Sequence, residues 1–278
     1  MEGFFTINEA TDKYIESCQS KIKTSTVKTL VKAIIAGAMI AFGAAISSVA
    51  AHSVNNVGLA RLAAAVVFPV GLMMVVLLGA ELFTGDCLVS MSILGKKHKL
   101  FQGVKLLSVV FFGNFIGASL IAVFISLSGQ PDYSSGLLGA YTIKVAIGKV
   151  NLSFTQSIVS GILCNILVCI AVLMTICAKE VTGKLLVCFF VIMIFVVGGF
   201  EHCVANMYYI PAGLLACANP EYVELAISTF GLSANDISSL NIVNFLLKNL
   251  LPVTIGNVLG GSIFVGVPIF FLNYHKSK

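Results

Sequence analysis

Six stretches of this chain are each long and apolar enough to cross a lipid bilayer, which constrains its fold more than any other feature. They cover residues 30–51, 62–94, 103–128, 153–178, 185–217 and 250–274. A membrane-spanning helix needs about 20 apolar residues. Only 10% of the chain is charged, against about a quarter in a soluble domain. Long unbroken apolar runs also argue against a barrel of short alternating strands. The sequence therefore predicts an all-α membrane protein with six transmembrane helices.

The placement of basic residues predicts the orientation of these helices. Thirteen lysines, Lys276 and Lys278 among them, fall on the side of the N-terminus, and four basic residues fall on the other side: Arg61, Lys144, Lys149 and Lys248. Because cytoplasmic loops are enriched in Lys and Arg, we expect a multi-pass protein of the inner membrane with both termini in the cytoplasm. The net charge of +5 follows from this topology and does not indicate a nucleic-acid partner.

The polar N-terminal segment, residues 1–28, predicts an amphipathic helix on the cytoplasmic side. Thr6 with Glu9 matches a capping box. An apolar stripe recurs at helical spacing, at Ile7, Thr11, Tyr14, Cys18 and Ile22. Such a helix lies either on the membrane surface or against the protein itself. Since the segment has no early apolar core, no cleaved signal peptide is expected.

Two copies of a three-helix unit are visible in the chain. The third apolar stretch contains GNFIGASL and the sixth contains GNVLGGSI, while Gly37 in the first stretch matches Gly161 in the fourth. Because three spans are an odd number, the second copy must enter the membrane from the opposite side. We therefore expect an inverted repeat, residues 29–128 and 129–278, within one transmembrane channel domain, 1–278.

The second and fifth stretches are too long for one simple span, and each is interrupted by polar residues. The interruptions are GAELFTG (79–85) and GGFEHCVAN (198–206), which take matching places in the two copies. Unwound backbone at membrane depth is tolerated only where it is buried in protein or lines a cavity. A matched pair of broken spans is the usual location of a transporter's substrate site.

Charged and titratable residues occur in both interruptions. Glu81 and Glu201 match each other. Each either binds loop N–H groups and holds the broken helix open as part of the function, or is a purely structural staple, and the symmetric placement favours the staple over a role toward a single substrate. His202 has no counterpart, because Leu82 takes the matching position. Histidine changes charge near neutral pH, so His202 could bind a substrate or give it a proton. The alternative is a buried histidine with satisfied hydrogen bonds.

Other polar residues have two interpretations each. Lys149, before the fourth span, either attracts anions at a pore mouth or extends its side chain to the membrane interface. Four neutral polar residues either line a path or join helices: Thr84, Asn165, Asn206 and Asn257. The eight cysteines contain no C-x-x-C pair and are interpreted as small core residues. No metal or other cofactor is expected.

Four segments resemble the signature segments of the formate/nitrite transporter family: AELFTG (80–85), GILCNILVC (161–169), EHCVANMY (201–208) and NLLPVTIGNVLGG (249–261). The resemblance covers almost the whole chain, and within the family the chain looks most like the hydrosulfide channel branch. It implies an aquaporin-like fold of six helices with helices two and five broken. It also implies a homopentamer in which each protomer has its own pore for small monovalent anions.

The resemblance further implies roles for single residues. It places the family's central histidine, pore threonine and vestibule lysine at His202, Thr84 and Lys149. The family's other polar positions fall on Glu201, Asn206, Asn165 and Asn257, and its hydrophobic constrictions fall on Phe68, Leu72, Leu82 and Phe195. The residue after the histidine is often serine in the family and is Cys203 here, which bears on the substrate.

These features predict a channel, not an enzyme, that passes hydrosulfide, formate or nitrite, with hydrosulfide favoured. We expect His202 to protonate the anion transiently, because burying a bare ion costs several kcal/mol. The alternative is a proton-coupled formate or nitrite transporter. An aquaporin-type neutral solute pore is disfavoured by the lack of Asn-Pro-Ala motifs. A metalloenzyme is disfavoured because the adjacent residues 201–203 would rarely share one metal.

Overall fold

The computed structural model describes residues 3–274, which form a bundle of helices. Residues 1, 2 and 275–278, and with them Lys276 and Lys278, lie outside the described residues. The helices are α1 (Ile7–Lys23), α2 (Thr26–Ala51), α3 (Val57–Leu78), α4 (Phe83–Leu94), α5 (Leu100–Leu127), α6 (Leu137–Val150), α7 (Phe154–Cys177), α8 (Val181–Gly198), α9 (Cys203–Ala216), α10 (Pro220–Phe230), α11 (Ala234–Ser239) and α12 (Ile242–Asn273).

Six of these helices are long and apolar enough to cross a membrane, namely α2, α3, α5, α7, α8 and α12. The predicted all-α fold with six spans is therefore confirmed. Helix α12 contains two π-helical segments, Phe245–Leu250 and Leu259–Gly266. Helix α5 ends at Leu127, next to the predicted boundary between the repeats at residue 128. The division into repeats itself stays a prediction.

The second and fifth spans are broken in the same way. Helices α3 and α8 are each followed by a glycine in the left-handed conformation, Gly79 with φ 61° and Gly199 with φ 69°. Three non-helical residues follow before α4 or α9 begins. The last of them has nearly the same backbone in both copies, φ −114° and ψ 122° at Leu82 against φ −112° and ψ 114° at His202. The two breaks thus differ in side chains and not in backbone.

Two pairs of membrane-spanning helices pack closely against each other. Helix α2 packs along α5, and α7 packs along α12. A Cβ atom at Gly117 would lie 2.0 Å from the carbonyl oxygen of Ile34, and one at Gly256 would lie 2.2 Å from that of Ile158. The helices therefore touch backbone to backbone, as small residues permit in membranes.

The N-terminal helix α1 packs against the protein itself. It begins with the predicted capping box of Thr6 and Glu9. The buried face includes Tyr14, whose hydroxyl donates to the Gly85 carbonyl at 3.1 Å. Ile7, part of the predicted stripe, is exposed. Of the two predicted positions, the structure has the one in which α1 covers other helices.

The cysteines behave as small core residues. All eight are unpaired, and six of them are buried, which agrees with their interpretation from the sequence. Burial excludes water from the thiols and leaves them as compact apolar groups.

Replacing Gly256 with alanine should destabilise the fold, because the added Cβ would meet the fixed backbone of α7. We expect a loss of about 2–3 kcal/mol and a fall in the thermal midpoint of roughly 5–10 °C, measured by scanning fluorimetry in detergent. Gly148→Ala is the matched control, since nothing lies within 4 Å of a Cβ there, and it should leave the midpoint unchanged or raise it. Equal midpoints for the two variants would contradict the close approach of α7 and α12.

Candidate functional site

A hydrogen bond between His202 and Thr84 joins the two breaks. His202 Nε2 lies 3.0 Å from Thr84 Oγ1, and both side chains are buried. On the other side of the ring, the Ala205 N–H donates to Nδ1 at 3.2 Å. Because Nδ1 is an acceptor, the neutral ring carries its proton on Nε2 and donates it toward Thr84. His202 therefore caps α9 with one nitrogen and presents an N–H with the other.

Asn165 holds the backbone of Thr84 in place. Its Nδ2 donates to the carbonyl of Thr84 at 3.2 Å and to the carbonyl of Asn257 at 2.6 Å. Cys169 Sγ donates to the same Thr84 carbonyl at 3.3 Å. Of the two interpretations of Asn165, the joining of helices is the one seen, since it ties α4, α7 and α12 together.

Asn257 satisfies the backbone of the second break. Its Oδ1 accepts the N–H of Cys203 at 2.9 Å, and its Nδ2 donates to the carbonyls of Glu201 at 3.0 Å and Gly161 at 2.8 Å. An unpaired backbone group at this depth would cost several kcal/mol. One amide on α12 thus satisfies both sides of the unwound segment.

Asn114 does the same for the first break and was missed from the sequence. Its Oδ1 accepts the N–H of Phe83 at 2.9 Å, and its Nδ2 donates to the carbonyls of Glu81 at 3.0 Å and Ala33 at 2.7 Å. Asn114 and Asn257 occupy the same position of the repeated G-N motif. Asn114 could therefore have been predicted from the sequence, as the counterpart of Asn257 in the first repeat.

Glu201 is the centre of a charged cluster beside the second break. Lys149 Nζ lies 2.9 Å from its Oε1, and its Oε2 accepts Asn206 Nδ2 at 2.6 Å and Asn249 Nδ2 at 3.2 Å. The N–H groups of Phe83 and Cys203 are bound by the asparagines of α5 and α12 and not by Glu81 or Glu201. The loop-stabilising role of the two glutamates stays a prediction.

Glu81 forms a similar cluster beside the first break. Lys21 of α1 lies 2.6 Å from Glu81 Oε2 and also pairs with Asp86, and Lys32 lies 3.8 Å from Glu81 Oε1. Burial disfavours the charged form of Lys21, but Asp86 and Glu81 more than compensate and raise its pKa above the usual value. Lys21 and Asp86 were not predicted, because no local pattern pairs a polar N-terminal helix with a break sixty residues later.

A cavity of about 330 Å³ leads to His202 from the end of α2 that is remote from α1. We name it the basic vestibule, after Arg61, Lys144 and Lys149 in its lining. Phe68 and Phe195 line it as well, with their rings edge to face and centroids 5.5 Å apart.

Phe195 also stacks on His202 at 6.0 Å. Phe195 thus contacts both Phe68 and the ring of His202 in the lining of the vestibule. Leu72 and Leu82 are buried but are not among the residues that line the cavity. The roles of these four apolar residues as constrictions stay predictions.

Comparisons with known proteins agree with this architecture. A family model described as formate/nitrite transporter matches residues 8–271. Formate channel FocA of Haemophilus influenzae is 39% identical over 212 residues, which cover 76% of this chain and 73% of that protein. Formate channel FocA of Escherichia coli K12 is 34% identical over 87% of this chain and 85% of that protein.

A solved structure described as a pentameric formate channel with formate bound superposes on this chain with a TM-score of 0.76. It is 34% identical and covers 89% of this chain and 97% of its own. The broken spans and the vestibule therefore lie in a fold that known anion channels share.

Lys21→Gln should destabilise the protein, because it leaves the buried carboxylate of Asp86 without a cation and that of Glu81 with only Lys32, 3.8 Å away. We expect a loss of about 2–3 kcal/mol, below that of a fully buried pair because the lysine side chain is 21% exposed, measured as a lower thermal midpoint. Asp86→Asn in the same background should restore part of the loss, since it removes one unpaired charge. Lys23→Gln on the same helix is the control. A midpoint equal to that of the control would mean that the cluster contributes nothing.

Proposed function

Because this chain belongs to the formate/nitrite transporter family, we propose that it is a membrane channel for small monovalent anions, with formate as its principal cargo. The observation that carries the proposal is the buried hydrogen bond between His202 and Thr84 behind a basic vestibule. Polar groups at membrane depth usually mark a pathway. Formate is favoured because both relatives are named formate channels. Hydrosulfide and nitrite are tested beside it.

The anion crosses as its neutral acid. In the vestibule it is still charged, but between Phe68 and Phe195 water is lost, and the anion's own pKa rises as the dielectric constant falls. The Nε2–H of His202, whose ring stacks on Phe195, is the donor that meets the anion there. It donates a hydrogen bond to the anion, and a hydronium ion from the vestibule water supplies the proton that turns formate into formic acid and leaves water. The neutral acid passes Leu82 and loses its proton on the far side.

The ring of His202 stays neutral and keeps its proton on Nε2. Because Nδ1 holds the Ala205 N–H, a proton cannot be stored there without breaking the cap. The Thr84 hydroxyl, 3.0 Å away, accepts the Nε2–H when no anion is present, and the proton that joins the anion comes from the vestibule water. One proton therefore moves with each anion, and no charge stays on the protein.

The assembly we propose is a homopentamer in the inner membrane with a pore in each protomer and both termini in the cytoplasm. The solved neighbour is described as pentameric. The spans also carry large exposed apolar side chains, for example Phe112, Phe124 and Phe190, which suit contacts with lipid or with another protomer. The excess of lysines on the side of the N-terminus supports the orientation.

Purified protein in liposomes should carry formate. We expect influx of formate well above that of empty liposomes, with nitrite and hydrosulfide measured at the same concentration and pH. Glycerol swelling should stay at the level of empty liposomes, since a neutral solute gains nothing from the basic vestibule. Glycerol uptake without anion influx would support an aquaporin-type pore and contradict the proposal.

His202→Asn should abolish most of the flux without unfolding the protein. Asparagine is a good N-cap, so it can accept the Ala205 N–H while removing Nε2. We expect formate influx to fall at least tenfold, in the range for losing a group that assists a proton transfer, and its dependence on pH to flatten. Thr84→Val, which removes only the hydroxyl partner, should have a similar effect. An unchanged rate and pH profile, with the thermal midpoint retained, would refute the protonation step.

A further inference from the structure

The positive charge of Lys149, which the resemblance makes the vestibule lysine, is largely neutralised. Its Nζ lies 2.9 Å from Glu201 Oε1, and the two side chains are 16% and 5% exposed. An anion that approaches Lys149 therefore also approaches a carboxylate, and like charges at this distance repel. Attraction of an anion from solution must come from other charges in the vestibule.

Arg61 and Lys144 supply these charges. Both line the basic vestibule and are exposed. Among residues 3–274, neither forms an ion pair, and none of the described residues in the vestibule lining is acidic. Uncompensated charges above low-dielectric walls raise the local concentration of counter-ions. The outer part of the vestibule is thus more positive than the part next to Lys149.

The arginine is held in place but keeps most of its donors. Nη1 donates to the carbonyl of Val197 at 3.4 Å, at the C-terminal end of α8. The guanidinium packs over Gly199, where a Cβ would lie 3.2 Å from Nη1 and 3.6 Å from Nη2. One of the five N–H groups is therefore committed, and the others remain for a ligand.

Lys144 and Tyr141 complete the surroundings. Lys144 Nζ lies 4.5 Å from the ring centroid of Phe230 and 5.8 Å from that of Tyr141. Burial raises the pKa of the Tyr141 phenol, and Arg61 acts against this rise. Tyr141 therefore stays a neutral hydroxyl near the guanidinium and adds no negative charge.

We propose that Arg61 and Lys144 form an anion-capture site at the outer end of the basic vestibule, and that Arg61 makes it prefer formate and nitrite to hydrosulfide. The guanidinium presents two parallel N–H groups that match two oxygen atoms of one planar anion. Hydrosulfide has a single acceptor atom and cannot use this fork. The inference rests on the proposed function, since it adds a selectivity step to the same path.

Arg61→Lys tests the fork alone, because it keeps the positive charge. In liposomes we expect the concentration of formate that half-saturates influx to rise about three- to tenfold, as for the loss of one charged hydrogen bond near the surface. The value for nitrite should rise similarly, and that for hydrosulfide should change less than about twofold. Arg61→Gln and Lys144→Gln should weaken uptake of all three anions. Lys248→Gln, a basic residue outside the vestibule, is the control for charge in general.

Formate binding to the purified protein, followed by saturation-transfer NMR, separates this proposal from the proposed function. Weaker formate binding in Arg61→Lys than in wild type supports the capture site even if the wild type carries none of the anions, an outcome that would refute only the channel. Formate influx in the wild type with unchanged binding and half-saturation in Arg61→Lys would overturn the capture site and leave the channel standing. Equal effects of Arg61→Lys on formate and hydrosulfide would also overturn it.

Discussion

The need to satisfy backbone groups at membrane depth governs this structure. Each break exposes N–H and C=O groups where lipid offers no partner, and one asparagine answers that need in each repeat. Asn114 and Asn257 each accept the first N–H of a short helix and donate to the carbonyl two residues before it. These amides reach the breaks because α2 packs on α5, and α7 on α12, at glycines. The repeated G-N motif thus supplies, in each repeat, the asparagine that binds the unwound backbone of the break.

The symmetric scaffold holds an asymmetric pair of side chains. Leu82 and His202 occupy equivalent backbone positions, yet only His202 offers a polar ring, and its partner Thr84 comes from the other repeat. A symmetric pair of histidines would put two titratable groups side by side. One histidine with one hydroxyl instead makes a single neutral hydrogen-bonded pair. The two repeats therefore share one backbone scaffold, but only the second repeat carries the histidine.

Much of the fold, and less of the site, could be predicted from the sequence. Apolar runs longer than about 20 residues leave few options in a membrane, so the six spans and both breaks followed directly. His202 stood out because its counterpart is a leucine. The partners of Glu81 and Glu201 could not be predicted, because Lys21 and Asn249 reach them only through packing between distant segments. The acceptors of the N–H groups of Phe83 and Cys203 could not be predicted for the same reason, since only the structure shows that an asparagine reaches each of them.

The fixed breaks bear on whether such a protein works as a channel or as an alternating-access symporter. A symporter needs two stable arrangements of its broken helices, with hydrogen bonds exchanged between them. Here the left-handed glycines, the asparagine amides and the lysine–glutamate pairs all hold one arrangement, and α1 binds the first break through Tyr14 and Lys21. Moving either break would leave buried charges unpaired. On the proposed path a neutral acid needs no such motion, because only the side chains of the predicted constrictions, Phe68, Phe195 and Leu82 among them, have to move aside. The hydrogen bonds of the two breaks therefore favour a channel, even though the proposed path carries a proton with each anion.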